Sequence, residues 1–385
     1  MGKGVSVNGA VIEWARRSLN LSQEDVARRM KKPPELIAQW ERGEAMPTYV
    51  QLERLAYDIL RRPMAVFFYP EPPEEAPVEA EFRTLPESLG EALSPPVVRV
   101  VRRARVCQLA LEELLGPARP ERAIWEQQRP TAADRPIEVA RAIRAALGVT
   151  IDRQRSWRSY DEALSAWRES VESAGVYVFK GAFKDDSVSG FCLFHPLYPV
   201  IYLNNSTTVS RQVFTLVHEL VHVLLRESDV EATDPGPAAS SRADESVEWF
   251  CNAVAAEVLA PAESLDRMLT AGSLTEERIS SIAESLWVSR EVIVRSAAER
   301  GIVGWDRYRE LADKWINQAV RARAKHGRGS YWSNQGVYMS LAFGTAVLQQ
   351  LYQNRIDQDA AAEYLGVRST GLSTMESVLL RKATR

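Results

Sequence analysis

A chain of 385 residues, 45% hydrophobic and 26% charged, has the composition of an ordinary soluble globular protein and the length for two or three domains. Its 48 Lys and Arg against 51 Asp and Glu leave a formal net charge of −3, which excludes a generic polycation and confines any nucleic-acid contact to a local patch. Cys107, Cys192 and Cys251 lack CxxC spacing, no apolar span reaches about 18 residues, and MGKGVSVNGAVIEWARR has no apolar signal core; these exclude a disulfide frame, a cysteine zinc site and a membrane span, and lead us to expect a cytoplasmic protein.

The first 70 residues read as four or five short helices. Ile12, Ala15, Leu19, Val26, Met30, Ile37, Trp40, Leu52, Leu55 and Ala56 recur at helical spacing and form a candidate core. Ser22 followed by Asp25 marks a capping-box start for the second helix. This spacing, with W-E-R-G at Trp40–Gly43 and then Pro47 and Thr48, resembles the Xre (Cro/CI) type of helix-turn-helix domain. The resemblance implies double-stranded DNA as a partner of residues 1–70. A helix near Glu35–Arg42 would enter the major groove, with Gln23 at a phosphate, Gln39 and Arg42 at bases or backbone, and Lys31 and Lys32 beside them. The charge argues for restraint: residues 1–70 hold 11 Lys or Arg against 8 Asp or Glu, and Pro33, Pro34 and Glu35 stand where polar base readers are expected. Weak binding, binding as a dimer and conversion to a protein-recognition module all stay open, and a solvated helix surface is the alternative to DNA contact for Arg16, Arg17, Arg28, Arg29, Lys31 and Lys32.

Residues 71–96, rich in Pro and Glu, read as an extended linker anchored by Val66, Phe67 and Phe68. Residues 97–150 return to helical periodicity in VVRVVRRARVCQLALEELL and RPIEVARAIRAAL and form a helical connector. Arg99, Arg102, Arg103 and Arg105 read there as a solvated face paired with Glu112 and Glu113, with a phosphate-binding face as the alternative.

A helix carrying Trp157, Tyr160, Leu164 and Trp167 follows, then three strands in VYVFKGAF, SGFCLFH and PVIYLNN, rich in β-branched and aromatic residues between Gly, Asp and Pro. A strand at the edge of a zinc-peptidase cleft can hold an extended substrate by main-chain pairing, so residues 188–194 or 200–204 are expected to form the substrate wall. His195, before Pro196, reads as a turn residue, with oxyanion stabilisation as the alternative.

His218, Glu219 and His222 lie in the run HELVH within RQVFTLVHELVHVLL. Positions i and i+4 share a helix face, so two imidazoles can bind one Zn²⁺ while Glu219 serves as general base for the water that the metal polarises. Apolar residues surround the motif nearly all round the helix, as in a domain core, and a buried His pair calls for a partner. A catalytic zinc usually takes three protein ligands. Downstream candidates are Glu227, Asp229, Glu231, Asp234, Asp244, Glu245 and Glu248, most of them in ESDVEATDPGPAASSRADES, which reads as solvated loop. Glu248 instead opens the helical pattern EWFCNAVAAEVLAP, with Asn252 one turn later, placed to orient a His ligand; a first-turn carboxylate stabilised by the helix dipole is the plainer account of Glu248.

From SGFCLFHPLYPVIYLNN through HELVH to EWFCNAVAAEVLAP the chain resembles the ImmA/IrrE family of metallopeptidases. The family pattern E-x-x-x-N-x-x-A-A-E-L-L-x-P falls on Glu248, Asn252, Ala255, Ala256, Glu257, Leu259 and Pro261, and WVSREVIVRSAAERG is similar to the family's closing helix. The likeness covers roughly residues 151–305. It implies His218, His222 and Glu248 as zinc ligands, Glu219 as base, and an α+β, zincin-like (gluzincin-type) core. EFRTLPES in the linker resembles the phrase that joins Xre domains to such peptidases. Cys251 stands where a small residue is common, and Trp249 and Phe250 replace polar neighbours, departures that bear on packing more than on ligation.

Residues 305–385 are again helical, with DQDAAAEYLGVRSTGLSTM in the rhythm of a second helix-turn-helix and Arg321, Arg323, Lys325, His326 and Arg328 as a basic cluster beside Tyr331 and Trp332. The expected protein is mainly α with a small β-sheet: an all-α helix-turn-helix head (1–70), linker (71–96), helical connector (97–150), peptidase core (151–304) and helical C-terminal domain (305–385). Two functions fit. One is a regulatory zinc endopeptidase whose protein substrate is a transcriptional repressor, one with an Xre domain among the candidates. The other is a DNA-binding regulator or antitoxin with a toxin partner, its metal site structural, vestigial or autoproteolytic. A homodimer suits either.

Overall fold

The computed structural model describes residues 4–75, 78, 82, 93–117, 123–232, 242–269, 274–323 and 338–383, apart from the side chains of 229–232, 242–246, 316, 317, 319–323 and 383. It is mainly helical with one small sheet and divides into two compact units, Met1–Glu81 with Leu89–Arg103, and Phe82–Ser88 with Ala104–Arg385. The linker resemblance at 81–88, apart from Phe82, and the basic cluster of the C-terminal stretch lie outside the described residues.

In the first unit α1 (Gly9–Arg17), α2 (Gln23–Met30), α3 (Pro34–Glu41) and α4 (Tyr49–Glu53, continued by a π-helical run Arg54–Leu60) enclose a core in which all ten of the expected apolar residues are buried. Ser22 and Asp25 exchange hydrogen bonds at the start of α2, so two orphan N–H donors are satisfied reciprocally. A side chain at Gly9 is excluded by packing: a Cβ would lie 2.3 Å from the Glu41 carbonyl and 2.6 Å from that of Trp40, so this glycine lets α1 press against the end of α3. Beneath that contact the Arg16 guanidinium donates to both Glu41 carboxylate oxygens (2.6 and 3.0 Å) and to the Leu21 carbonyl (2.8 Å).

The helix α5 (Pro95–Leu115) contributes its first half to this unit. Arg102 donates to the Ser18 carbonyl at 2.6 Å and sits 3.6 Å from Glu75, and Arg105 donates to Gln108. Both are half-buried and are not paired with Glu112 or Glu113 as the helical spacing suggests, whereas Arg103 of the same run is exposed. Glu112 instead meets His195.

In the second unit β1 (Tyr177–Gly181), β2 (Val188–Leu193), β3 (Val200–Asn204) and β4 (Asp229–Ala232) form one sheet in the order β1-β3-β2-β4, with β1 parallel to β3 and the other pairs antiparallel. Two expectations are corrected. The stretch ESDVEA is no loop throughout, because Asp229–Ala232 pairs with β2, Val230 opposite Phe191, and alternating composition in so short a segment reveals a strand only when a partner edge is present. Residues 188–194 and 200–204 are also not the strands that can pair with a substrate as its wall: β2 and β3 are inner strands, buried along their whole length, and the edges are β1 and β4.

Helix α10 (Val209–Leu225), capped by Thr208, crosses β2 and β3 and is buried from Gln212 to Leu224. At that crossing a Cβ on Gly190 would lie 2.4 Å from Thr215 Cγ2 and 3.0 Å from the Tyr202 carbonyl. Gly190→Ala is expected to destabilise the fold by about 1–3 kcal/mol through overpacking, with part of the loss recovered when Thr215→Ser removes the opposing methyl. Urea denaturation of the single and double variants reads this, and a cost under about 0.5 kcal/mol for Gly190→Ala contradicts the close approach.

Around α10 pack α6 (Ile124–Gln127), α9 (Tyr160–Ser173) and α11 (Arg242–Leu259), with α7 (Pro136–Leu147) against α11, all contributing to one apolar core with α13 (Glu276–Leu286) and α14 (Arg290–Glu299). The C-terminal helices Leu341–Tyr352, Gln358–Tyr364 and Leu372–Ala383 belong to the same unit. The first docks beside β1: Phe343 meets Phe179 edge to face, and the half-buried Glu172 carboxylate of α9 accepts from the N–H groups of Leu341 and Ala342 at 3.2 and 3.4 Å.

Candidate metal centre

Helix α10 carries the motif because thirteen consecutive residues, Gln212–Leu224, find cover on the sheet, α9 and α11, so His218 and His222 are 1% exposed and Glu219 is wholly buried. The i, i+4 spacing brings the two Nε2 atoms to 3.1 Å. Glu248, in α11, reaches across with Oε1 3.2 Å from His222 Nε2 and Oε2 3.5 Å from His218 Nε2. Burial pushes the Glu248 carboxyl up, yet the hydrogen bond to His222 and the charges of both imidazoles outweigh it and hold the group well below the usual range, so it is anionic at neutral pH.

Among the described residues His218, His222 and Glu248 are the group of ligating side chains whose atoms all lie within 4.8 Å of one another. Two ligands at ~2.0–2.1 Å from one tetrahedral Zn²⁺ stand ~3.3 Å apart, and the separations of 3.1, 3.2 and 3.5 Å suit that edge length. Two neutral nitrogens and one carboxylate oxygen are the donor set of a catalytic zinc with one coordination position left over. Glu227, the other described candidate for third ligand, is outside the group; its N–H is spent on the His222 carbonyl at the end of α10. The side chains of Asp229, Glu231, Asp234, Asp244 and Glu245 lie outside the described residues.

Asn252 follows Glu248 by one turn, half-buried, and makes no side-chain hydrogen bond to either His among the described residues. Of the two aromatic departures, Phe250 is a core residue, but Trp249, next to Glu248 in the chain, is 57% exposed. The signal for it was its neighbour: a residue 100° round the helix from a ligand that points inward need not itself be buried.

His195 is the turn residue it resembles. Its Nδ1 accepts from the N–H groups of Leu197 (3.2 Å) and Tyr198 (3.1 Å), its Nε2 stands 3.1 Å from Glu112, and its ring stacks on Tyr198. An Nδ1 that accepts twice carries no proton, and burial holds the pKa below the ordinary 6.5 in spite of Glu112. A folded pKa below the unfolded one means that the stability added by the neutral ring is complete above pH 6.5 and is lost as pH falls through the folded value. An NMR titration of the His195 ring is expected to give a midpoint under 6.5; one above it contradicts this tautomer. Gln108, missed in the sequence, fixes the same corner by donating from a fully buried amide to the carbonyls of Leu193 and Tyr198.

The candidate DNA contacts lie on α2, α3 and the turns beside them. Gln23 is half-buried and donates to Glu41 at 2.7 Å, so the Arg16 and Glu41 pair sets its orientation. Gln39 is exposed on α3, and Lys31 and Lys32 are exposed at the turn before it. Arg42, also exposed, is engaged by Glu44 at 2.7 and 2.8 Å, which neutralises it until a stronger anion competes.

Residues 171–297 match the IrrE N-terminal-like domain, a peptidase family, and residues 12–56 match a helix-turn-helix family. The chain joins a helix-turn-helix domain to an IrrE-like domain. Over 108 residues, 28% of the chain, the sequence is 33% identical to the radiation response metalloprotease IrrE of Deinococcus deserti and 30% identical to the protein of that name from Deinococcus radiodurans. These matches span 38% and 33% of the relatives' own lengths, so the chain shares about a third of each. The IrrE-like match includes the strands, α10 and the described part of α11, and therefore all three converging side chains. Among the described residues no helix is long and apolar enough to cross a membrane.

Proposed function

We propose that the chain is a regulatory zinc-dependent endopeptidase coupled to a DNA-binding head, with a transcriptional repressor, such as one carrying an Xre-type domain, as its protein substrate. The observation that carries the reading is the convergence of His218, His222 and Glu248 to 3.1–3.5 Å beside a buried Glu219. When bound, zinc supplies a Lewis acid that polarises a carbonyl and acidifies water. Glu219 takes the proton from the attacking water and returns it to the leaving amine, a task for a carboxylate fixed on the same rigid helix as two ligands. Phe214, 6.1 Å from the His218 ring, and the core around α10 keep bulk water from that proton. Trp249, exposed and next to Glu248 in the chain, offers an apolar surface for a substrate side chain. The edge strand β4, rather than β2 or β3, is where an extended peptide can add a strand, because the main chain of Val178 in β1 is already held by Glu172 and Arg168.

The head directs the activity. Exposed Gln39, Lys31 and Lys32 can bring the peptidase to double-stranded DNA occupied by its substrate. The test is incubation of the zinc-loaded protein with Xre-type repressors, reading new peptide termini by mass spectrometry, and footprinting of the same preparation on promoter DNA. A new terminus that depends on zinc supports the reading. Footprinting without cleavage of any repressor overturns it in favour of a DNA-binding regulator or an antitoxin.

A further inference from the structure

Helix α10 brings one more polar group to the metal centre. Thr215 is wholly buried. At about 100° per residue it stands about 40° round the helix from Glu219, about 60° from His218 and about 20° from His222, within the face that carries the site. Side chains on a helix lean toward its N-terminus, so each covers the residue one turn before it. His218 lies over Phe214 in this way, with ring centres 6.1 Å apart, and by the same spacing Glu219 lies over Thr215. The Thr215 methyl is committed elsewhere: it faces β2 at Gly190 and leaves a Cβ no room there. A helical threonine commonly returns its hydroxyl to a carbonyl of the preceding turn, yet Thr215 Oγ1 is buried with no hydrogen-bond partner among the described residues.

A buried hydroxyl without a partner destabilises the resting protein, and valine would fill the same space without that cost. The hydroxyl has one proton to donate, and the acceptor one turn along is the Glu219 carboxylate, which as general base must be held in place while it takes a proton from water. Arg211, one turn before Thr215, is a donor only, and it reaches Ser189 of β2 at 3.4 Å. We infer that Thr215 is a positioning residue for Glu219, its hydroxyl donating to the carboxylate as the base engages the water. The inference rests on the peptidase reading. A bond made during the reaction and absent at rest raises kcat and leaves substrate binding as it was.

The experiment compares the full zinc-loaded chain with its Thr215→Val and Thr215→Ser variants on the Xre-type repressor that the wild type cleaves. Thr215→Val is expected to hold zinc with wild-type affinity and to resist urea at least as well as the wild type, while kcat falls about tenfold or more and KM stays within about twofold. Thr215→Ser restores the hydroxyl and is expected to recover most of the lost turnover. A wild-type kcat in Thr215→Val overturns the proposal, as does turnover that Thr215→Ser fails to recover. A lower urea midpoint in Thr215→Val overturns it by giving the hydroxyl a structural partner, and a zinc affinity lowered about tenfold overturns it by assigning the hydroxyl to His218. A wild type that cleaves no repressor removes the peptidase reading and the proposal together, whereas an active wild type beside an unimpaired Thr215→Val removes the proposal alone.

Discussion

Glu219→Gln is expected to retain zinc at the wild-type stoichiometry while peptide-bond hydrolysis falls by about 10²–10⁴-fold. Glutamine keeps the shape of the side chain and loses the ability to accept a proton. The carboxylate lies outside the group His218, His222 and Glu248, so the metal keeps its three protein ligands. Glu219 is also wholly buried, and glutamine fills the same volume without overpacking the core. Metal analysis and turnover of one repressor by both proteins read the two effects separately. Hydrolysis within about tenfold of wild type removes Glu219 from the chemistry, since general-base catalysis of this kind contributes more than that. Loss of zinc together with activity would instead mean that the side chain shapes the site.

Glu248→Gln is expected to reverse that pattern, with zinc affinity falling by more than about 100-fold, beyond the 10–100-fold typical of an outer-shell partner. Glu248 is the one anion of the three and spans both imidazoles, at 3.2 Å from His222 and 3.5 Å from His218. A neutral amide removes the charge and leaves two nitrogens 3.1 Å apart to share the metal alone. Competition with a chelating dye measures the change. Affinity within about tenfold of wild type would transfer the third ligand to a residue of the stretch 229–246. Together the variants separate holding the metal from using it: one protein with zinc and no turnover, one with turnover only when zinc is in large excess.

Much of this was legible in the sequence wherever local periodicity carries the information. His218 and His222 share a helix face because the α-helix repeats every 3.6 residues, and no tertiary contact is needed to say so. The ten core residues of the helix-turn-helix follow from the same period, and Ser22 with Asp25 from the chemistry of orphan N–H groups. Less legible was whatever depends on a partner distant in the chain. Asp229–Ala232 is a strand because β2 offers it an edge, and Arg102 is an interior hydrogen-bond donor because the Ser18 carbonyl lies within reach. Trp249 shows the converse, an aromatic residue that composition assigns to packing and that the helix turns outward.

The sequence by itself determined the donor types, two imidazoles and a base on one helix, and the family patterns at residues 12–56 and 171–297. Tertiary structure alone decided that Glu248 returns to those imidazoles and that β4 rather than β2 or β3 is an edge of the sheet. The physical reason is one of range. A helix fixes relative positions over a turn or two through its own hydrogen bonds, whereas the return of α11 to α10 requires a loop closure that only the burial of both helices in a common core can compensate.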